Sequence, residues 1–588
     1  MKATFRTYAR LATGIAALAA LGLNAAAAQA AASGTLASGG TLRIASLQPD
    51  IDAFDPQTGY SIDSWEILRA VTRQLVTYPG AAGNLKDDTK IVPDLAKSWD
   101  ISADGKTYTF HLRDGITYAG PTQRPIVAKD FVYTIKRFCD PNRQVAAVNY
   151  FNLAFSGFEK YCKAFSQVPT GDLAAVRKFI DTHEIDGVSA PDDKTLVLRS
   201  DTRNYDFLNI LAMNFVTPLP EEVASRYFPD SQGFRSNFSS SGPYYVQSYT
   251  SGQQLVLARV PNYNHAGDPA RRAYADRIVI DFTSNSEDAV VQKIQTGAAD
   301  LSLYLDVPPL ATLRTYQLQQ SPQLHTSNSG AADFIVVNAR PEAAGPGATA
   351  LRKLEVRQAI AYGVNKAHIV QTQGGAIAAE PLGQIITSTT LGYQKFDPYA
   401  TPQDRGDPKK AKALLAQAGY PDGLSFDLAY RANAQFSAIA VTLKEDLAAS
   451  GIKINLLPVP PTQFLAYLQD PKSRYDLALA QFAPDWQGPS TRMLLGGWLD
   501  SDASPCGKGN NYAICYRNPQ LNALAAKAFP SENPGPIWTE ADRLVSADLP
   551  WIPLFEKRKV AITSDRVANW VWSSLAVQAD VTNIALHP

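Results

Sequence analysis

One carboxylate in this chain is placed where it can do chemistry. In YDLALAQFAPDWQGPS, residues 475–490, an alternating and then apolar run ends at Asp485, inside a Pro-, Trp- and Gly-rich turn with no basic residue before Arg492. A carboxylate at the end of a buried strand loses hydration, and a cation brought to it restores a charge-assisted contact. A hydrogen bond to a charged group contributes about 1.5–3 kcal/mol, enough to decide whether an amine-bearing solute is retained. An Asp before a Gly-containing turn equally suits an exposed Asx cap, so both readings stand at this stage. The adjacent Trp486 would either wall the same pocket, offering a face to aliphatic or cationic groups, or pack beneath the loop.

Other chemistries find less support. The six histidines, His111, His183, His265, His325, His368 and His587, are scattered, with no pair at metal-ligand spacing, so no metal site is expected. No GxSxG elbow occurs. Catalytic triads and paired carboxylates are spatial arrangements, however, so a secreted hydrolase stays open as a different class of reading. A chaperone-like or surface-adhesion protein is another.

The strand that delivers Asp485 belongs to an alternating series. LSFDLAY, AQFSAIAVTLKEDLAAS, GIKINLLPV, PTQFLAYLQD and YDLALAQF read as strand, helix, strand, helix, strand, which predicts a parallel α/β layer with right-handed crossovers. Ligands of such sheets sit beyond the carboxyl ends of the strands, and Asp485 lies three residues past the strand expected at 475–482. Arg431 ends the strand LSFDLAY and could meet a ligand carboxylate, or be solvent-facing or structural. Tyr430, Tyr393 and Ala483 complete the candidate ligand contacts.

Upstream, LRKLEVRQAIAYGVNKAHIV (351–370) and DPKKAKALLAQAGY (407–420) are helical, the second with Asp407 as cap, Pro408 in the first turn and Gly419 at the stop. SIDSWEILRAVTRQLVTY carries Trp65, Leu68, Val71 and Leu75 at helical spacing, a core pattern. ADGKTYTFHLR (103–113) and APDDKTLVLRS (190–200) resemble each other: an Asp-containing turn, Lys-Thr, then a strand ending in Leu-Arg. Both read as hairpins.

With 588 residues, 45% of them hydrophobic, the chain exceeds one ordinary domain, and two or three lobes are expected. Lys+Arg and Asp+Glu both total 55, so no basic surplus tracks a phosphate backbone and nucleic acid is not an expected partner. Residues 1–30 place Lys2, Arg6 and Arg10 before an apolar run and end at Ala28-Gln29-Ala30, the pattern of a cleaved secretory signal. An uncleaved anchor is the alternative, but Thr13, Gly14, Gly22 and Asn24 dilute the run. No Cys precedes Cys139, so no thiol is available for lipid attachment, and the product is expected to be exported and periplasmic. The four cysteines form two local pairs, predicting the disulfides Cys139–Cys162 and Cys506–Cys515.

The order of these pieces resembles the peptide-type solute-binding proteins of ABC importers, which include oligopeptide- and dipeptide-binding proteins. The resemblance is carried by GGTLRIAS, VPDLAKSWDISADGKTYTFHLRDGITYAG, IVAKDFVYTIKR, SGPYYVQSYTSGQQLVLARVPNYN, FIVVNAR, EVRQAIAYGVNKAHIV, DPKKAKALLAQAGYPDG and YDLALAQFAPDWQGPS. It implies an α/β fold of two lobes joined by two hinge strands, with an additional β-rich subdomain in the larger, discontinuous lobe. The expected boundaries are 31–330 plus 556–588 for lobe one, with its subdomain at about 85–190, and 331–555 for lobe two; FIVVNAR and WIPLFEKRKVAI are the expected crossings. In peptide-binding members an acidic residue after a lobe-two strand holds the ligand's ammonium, and Asp485 matches that position. The family loop often has a second acidic residue after its Pro, where this chain has Ser490 after Pro489. The resemblance implies a monomeric receptor, not an enzyme, with no cofactor, taking a small peptide or similar solute to an ABC permease. The same fold also takes nickel chelates, oligosaccharides or opines, so a non-peptide solute is the nearest alternative.

Overall fold

The computed structural model describes residues 36–59, 61–82, 90–142, 148–303, 308–341, 343, 346–470, 472–486, 491–502, 515–573 and 578–588. The expected signal at 1–30, Cys506 of the second expected disulfide, and Pro489 and Ser490 lie outside them.

The first lobe is built on a five-stranded sheet. Its order is Leu301–Leu303, Thr41–Ser46, Arg277–Asp281, Gln254–Arg259, Tyr244–Thr250, with Thr41–Ser46 parallel to both neighbours. The two look-alike segments form one antiparallel sheet of four strands, in the order Ala96–Ile101, Thr107–Leu112, Thr195–Arg199, Val188–Asp192. Each is a hairpin, and their similar second strands pair with each other, His111 opposite Thr195. The turns work as their Asp residues predict: Asp104 Oδ1 accepts from Lys106 N at 3.1 Å, and Asp192 Oδ1 from Lys194 N at 2.8 Å. Cys139 and Cys162 are joined, their Cα atoms 5.2 Å apart.

The second lobe has a six-stranded sheet: Ala379–Pro381, Trp551–Ile562, Leu324–Val337, Leu477–Phe482, Leu424–Arg431, Ile452–Val459. Its last three strands are the expected parallel block, wound through the helices Ala434–Ala448 and Phe464–Gln469. The whole sheet is mixed rather than parallel, because the long strands Leu324–Val337 and Trp551–Ile562 join it antiparallel. Alternation sorts its faces. Ile335, Val337, Leu428, Leu477 and Leu479 pack with Ile360, Ile439 and Leu443, while Phe334, Val336, Ala478, Ala480 and Phe482 face the other way into a cluster containing Trp486 and Trp538.

The same two long strands cross between lobes. They pair from Leu324 opposite Ile562 to Val336 opposite Trp551. Ile562 lies in a core with Ala45 and Ile294 of the first lobe, whereas Ile335 and Ile552 lie in the second lobe's core. Pairing lapses between Asn328 and Ala332, where Gly330 takes a left-handed φ of +70°. WIPLFEKRKVAI is the second crossing as expected, and FIVVNAR forms only the second-lobe end of the first.

One buried carboxylate in each lobe gathers several donors. In lobe one, Asp94 Oδ1 accepts from Arg73 Nε at 2.7 Å and Oδ2 from Arg271 Nη1 at 3.0 Å, with all three side chains fully buried. Burial works to raise the pKa of the neighbouring Asp268, yet Arg271 and Arg73 hold it down to about 2. In lobe two, Asp542 on helix Gly535–Asp548 accepts from Ile385 N at 2.9 Å, Ile386 N at 3.2 Å and Gln384 Nε2 at 2.8 Å. It thereby pins the loop that leads to Tyr393. Burial pushes its pKa up to about 6 in spite of these donors.

Asp94→Asn removes one charge from a site holding two buried guanidinium groups, and is expected to cost roughly 3–5 kcal/mol in urea unfolding. Asp542 gives a pH signature. Its folded pKa lies above the ordinary carboxylate value, so the folded state holds the extra proton and its contribution is full below about pH 4 and lost as pH rises to about 6. Between these values the wild type should lose on the order of 2–3 kcal/mol relative to Asp542→Asn. Identical pH profiles for the two proteins would contradict this assignment.

Candidate ligand-binding site

The strand Leu477–Phe482 ends against the first crossing strand, Ala332 opposite Phe482, and its loop continues beside the lapse in pairing. A Cβ on Gly330 would stand 3.0 Å from Pro484 Cγ and run into the Thr389 hydroxyl, so glycine is required for this loop to lie on the hinge. Ala483 is exposed, Pro484 buried, Asp485 half-buried, and Trp486 only 1% exposed.

Asp485 is met from across the cleft. Tyr150, on the short helix Val148–Ala154 of the first lobe, donates its hydroxyl to Asp485 Oδ2 at 2.5 Å over a separation of 335 residues. This is the short distance of an O–H donating to a carboxylate. The phenol ring also stands edge-on to Trp486, centroids 5.2 Å apart at 74°. The Trp486 indole N–H is buried and pairs with no described group. The polar contact and the apolar contact thus each join Tyr150 of one lobe to the Asp485-Trp486 pair of the other. A second crossing contact lies at the rim, where Arg203 Nη2 meets Glu532 Oε1 at 2.9 Å while its guanidinium rests 4.8 Å from the centre of the Tyr205 ring.

A charged cluster of opposite balance occupies the ends of neighbouring strands. Arg431 closes the strand Leu424–Arg431, its guanidinium 4.4 Å from the Phe464 ring centre and 5.4 Å from that of Phe436. Two strands away, buried Asp333 lies 3.1 Å from Lys557 Nζ, one crossing strand to the other. Burial raises the Asp333 pKa, opposed by Lys557 and Arg431. Lys557 is thus the ion-pair partner of Asp333, with Arg431 acting on it electrostatically.

The remaining candidates separate. Tyr430 turns into the second lobe's core with Leu428, Phe436 and Ile454, on the face opposite the cluster of Trp486. Tyr393 is half-buried near Glu556 and Glu380, and burial first, then these acids, pushes its pKa up to about 12. Glu556 in turn accepts from Ser388 N at 3.0 Å and Ser388 Oγ at 2.6 Å, and Ser388 Oγ accepts from Asn328 Nδ2 at 2.6 Å. The loop bearing Tyr393 is moored to both crossing strands. Tyr150, Asp333 and Lys557 escaped the sequence reading; strand pairing is the signal that joins the last two, since Asp333 stands opposite Phe555, two residues before Lys557.

Among the described residues no three His, Cys, Asp or Glu side chains converge as a metal site would, and no helix is long and apolar enough to cross a membrane. A sequence profile of the bacterial extracellular solute-binding proteins, family 5 Middle, matches residues 90–505. Heme-binding protein A of Haemophilus influenzae is 28% identical over 518 residues, covering 84% of each chain. Di/tripeptide-binding protein 2 of Pseudomonas aeruginosa is 26% identical over 528 residues, 86% of this chain and 87% of its own. Among solved structures, clavulanic acid biosynthesis oligopeptide binding protein 2 superposes with a TM-score of 0.80 at 22% identity, over 94% of this chain and 96% of its own. The periplasmic binding protein DppA of Helicobacter pylori, in complex with peptide STSA, reaches 0.68 at 21% identity over 94% and 99%. The matched span runs through both lobes and the strand that delivers Asp485, and on that ground the chain belongs to the bacterial extracellular solute-binding proteins of family 5.

Proposed function

We propose that this protein captures short peptides, or other solutes with a free amino group, between its lobes and delivers them to a membrane ABC permease. The observation that carries the reading is the Asp485 carboxylate, held at a strand end by the Gly330 contact and met by a hydroxyl from the opposite lobe. A ligand ammonium placed there donates to Asp485 and to the Tyr150 oxygen, so it contacts both lobes at once. Only contacts that differ between open and closed states shift the balance between them, and such a bridging group favours closure. Trp486 excludes water beside the charge, which strengthens it. The Arg431, Lys557 and Asp333 cluster supports a ligand that also carries a carboxylate, with the main chain extended between the two charged ends.

Further parts of the reading are the lobe boundaries near residues 330 and 555, with the β-rich subdomain at about 85–190, Ala483 and Tyr393 at the pocket margin, and action as an exported periplasmic monomer without catalysis. The relatives named for di- and tripeptides favour small peptides. Tyr430 contributes through the packing beneath Arg431.

Asp485→Asn keeps the size of the side chain and removes its charge. Calorimetry with trialanine should show affinity lowered by about tenfold to a hundredfold, the equivalent of one charge-assisted contact. N-acetyl-trialanine should bind the wild type as weakly as trialanine binds the variant. Pairing raises the pKa of the bound amine above its free value of about 7.7–8.0, so affinity holds below that range and falls as pH rises through it. Equal binding of the free and acetylated peptides would overturn the ammonium site. Binding of neither would transfer the protein to a non-peptide solute.

A further inference from the structure

We infer that the Cys139–Cys162 disulfide is a positioning element of the ligand clamp: it brackets the segment carrying Tyr150 and holds its hydroxyl where Asp485 meets it. The inference rests on the reading of Tyr150 and Asp485 as one clamp.

The helix Val148–Ala154 has seven residues, too few to persist without tertiary support. Tyr150 carries it into the second lobe, and a displacement of about 1 Å at the hydroxyl would open a hydrogen bond of 2.5 Å. What fixes the helix is therefore what fixes the clamp. Phe151 is fully buried and sits 4.1 Å from Phe138 and 6.2 Å from Phe215, ring centre to ring centre, which seats one face of the helix in the core. Past its end Ser156 N donates to the Arg199 carbonyl and the Ser156 carbonyl accepts from Gly187 N, both at 2.8 Å, so noncovalent contacts anchor its C-terminal side.

The disulfide adds a covalent constraint that reaches both flanks of the segment. Cys139 follows helix Ala128–Arg137, whose end is locked by Arg137 on buried Asp55 at 2.6 Å and by Lys136 on the Ile180 carbonyl at 3.0 Å. Cys162 belongs to helix Phe158–Phe165, whose Phe165 stacks on Phe179 at 4.4 Å. Gly157, at a φ of +77°, turns the chain directly from the Tyr150 helix into this one, and a Cβ there would lie 2.9 Å from Asp186 Oδ2. The bridge thus ties both flanks of the 23-residue separation to the immobile part of the lobe, with Tyr150 between them. Phe138, the contact of Phe151, is the residue beside Cys139, so aromatic anchor and covalent staple act on the same corner.

A general stabiliser of lobe one would leave the Tyr150–Asp485 contact unchanged in the folded protein, which separates the two roles. Tyr150→Phe, Asp485→Asn and the double variant are made in the wild type and in Cys139→Ser/Cys162→Ser, and urea unfolding is followed with no ligand added. In the wild type the two changes should be non-additive by at least about threefold in the equilibrium constant, and without the disulfide the coupling should fall toward unity. The same coupling in both backgrounds, zero included, overturns the inference. Amide exchange gives the second readout: residues 148–155 should exchange about tenfold faster or more without the disulfide, with strand Thr41–Ser46 unchanged. Equal acceleration in both places makes the bridge a general stabiliser and overturns the inference as well. Cys139→Ala/Cys162→Ala replaces the serine pair should that pair not fold. Neither readout uses a peptide, so a failure of trialanine to bind would count against the ligand reading and leave this one standing.

Discussion

Everything at the cleft hangs from one antiparallel pair, the strands Leu324–Val337 and Trp551–Ile562. Their first-lobe ends and second-lobe ends are buried in separate cores, so the lobes are connected by hydrogen-bonded backbone that resists stretching and yields only where pairing lapses. That lapse, between Asn328 and Ala332, is narrow: Ser329 Oγ donates to the Lys557 carbonyl at 2.7 Å, and Gly330 supplies the left-handed turn. It is where a hinge can absorb a change of φ and ψ at low cost. The loop of Asp485, the loop of Tyr393 and the Asp333–Lys557 pair all touch this short stretch. Opening or closing the lobes therefore moves the two halves of the candidate site apart or together without reshaping either.

Charge is handled differently in the lobe cores and at the cleft. Within lobe one, Asp94 is saturated by two arginines, and its carboxylate has no capacity left for a solute. Near the hinge the charges are met across elements instead. Asp485 is half-buried and accepts from the Tyr150 phenol of the other lobe, while Asp333 pairs with Lys557 from one crossing strand to the other. On the function proposed above, an acid at one strand end and basic groups at its neighbours complement a solute with an amine at one end and a carboxylate at the other.

Much of this was legible in the sequence because it is local. Alternation placed the strands of the second lobe, Asp407 accepts from Lys410 N as its position before Pro408 foretells, and the DGKT and DDKT turns form hairpins. Where the reading fell short, a long-range contact overrode a local pattern. The helix expected to include Leu75 ends at Val71, because Arg73 is drawn to Asp94 and its backbone N–H to Ser241 Oγ at 2.9 Å; Leu75 is still buried. Tyr430 and Arg431 are adjacent in the chain, yet period-two alternation sends the tyrosine into the core, and only the sheet's neighbours say which face is which. Asp485 was visible as a carboxylate without a nearby cation. Tyr150 was not, since its role depends on a contact spanning 335 residues and on the closing of two lobes.

The central claim, that the cleft holds a solute by a free amino group, is tested most directly by what the protein carries. Native mass spectrometry of the full chain purified from the cells that make it reads the bound species by mass, and tandem fragmentation reads its chemistry. The account predicts a small bound solute that bears a primary amine and is released when the lobes are unfolded. A bound solute without an amino group, such as a neutral oligosaccharide, would contradict it.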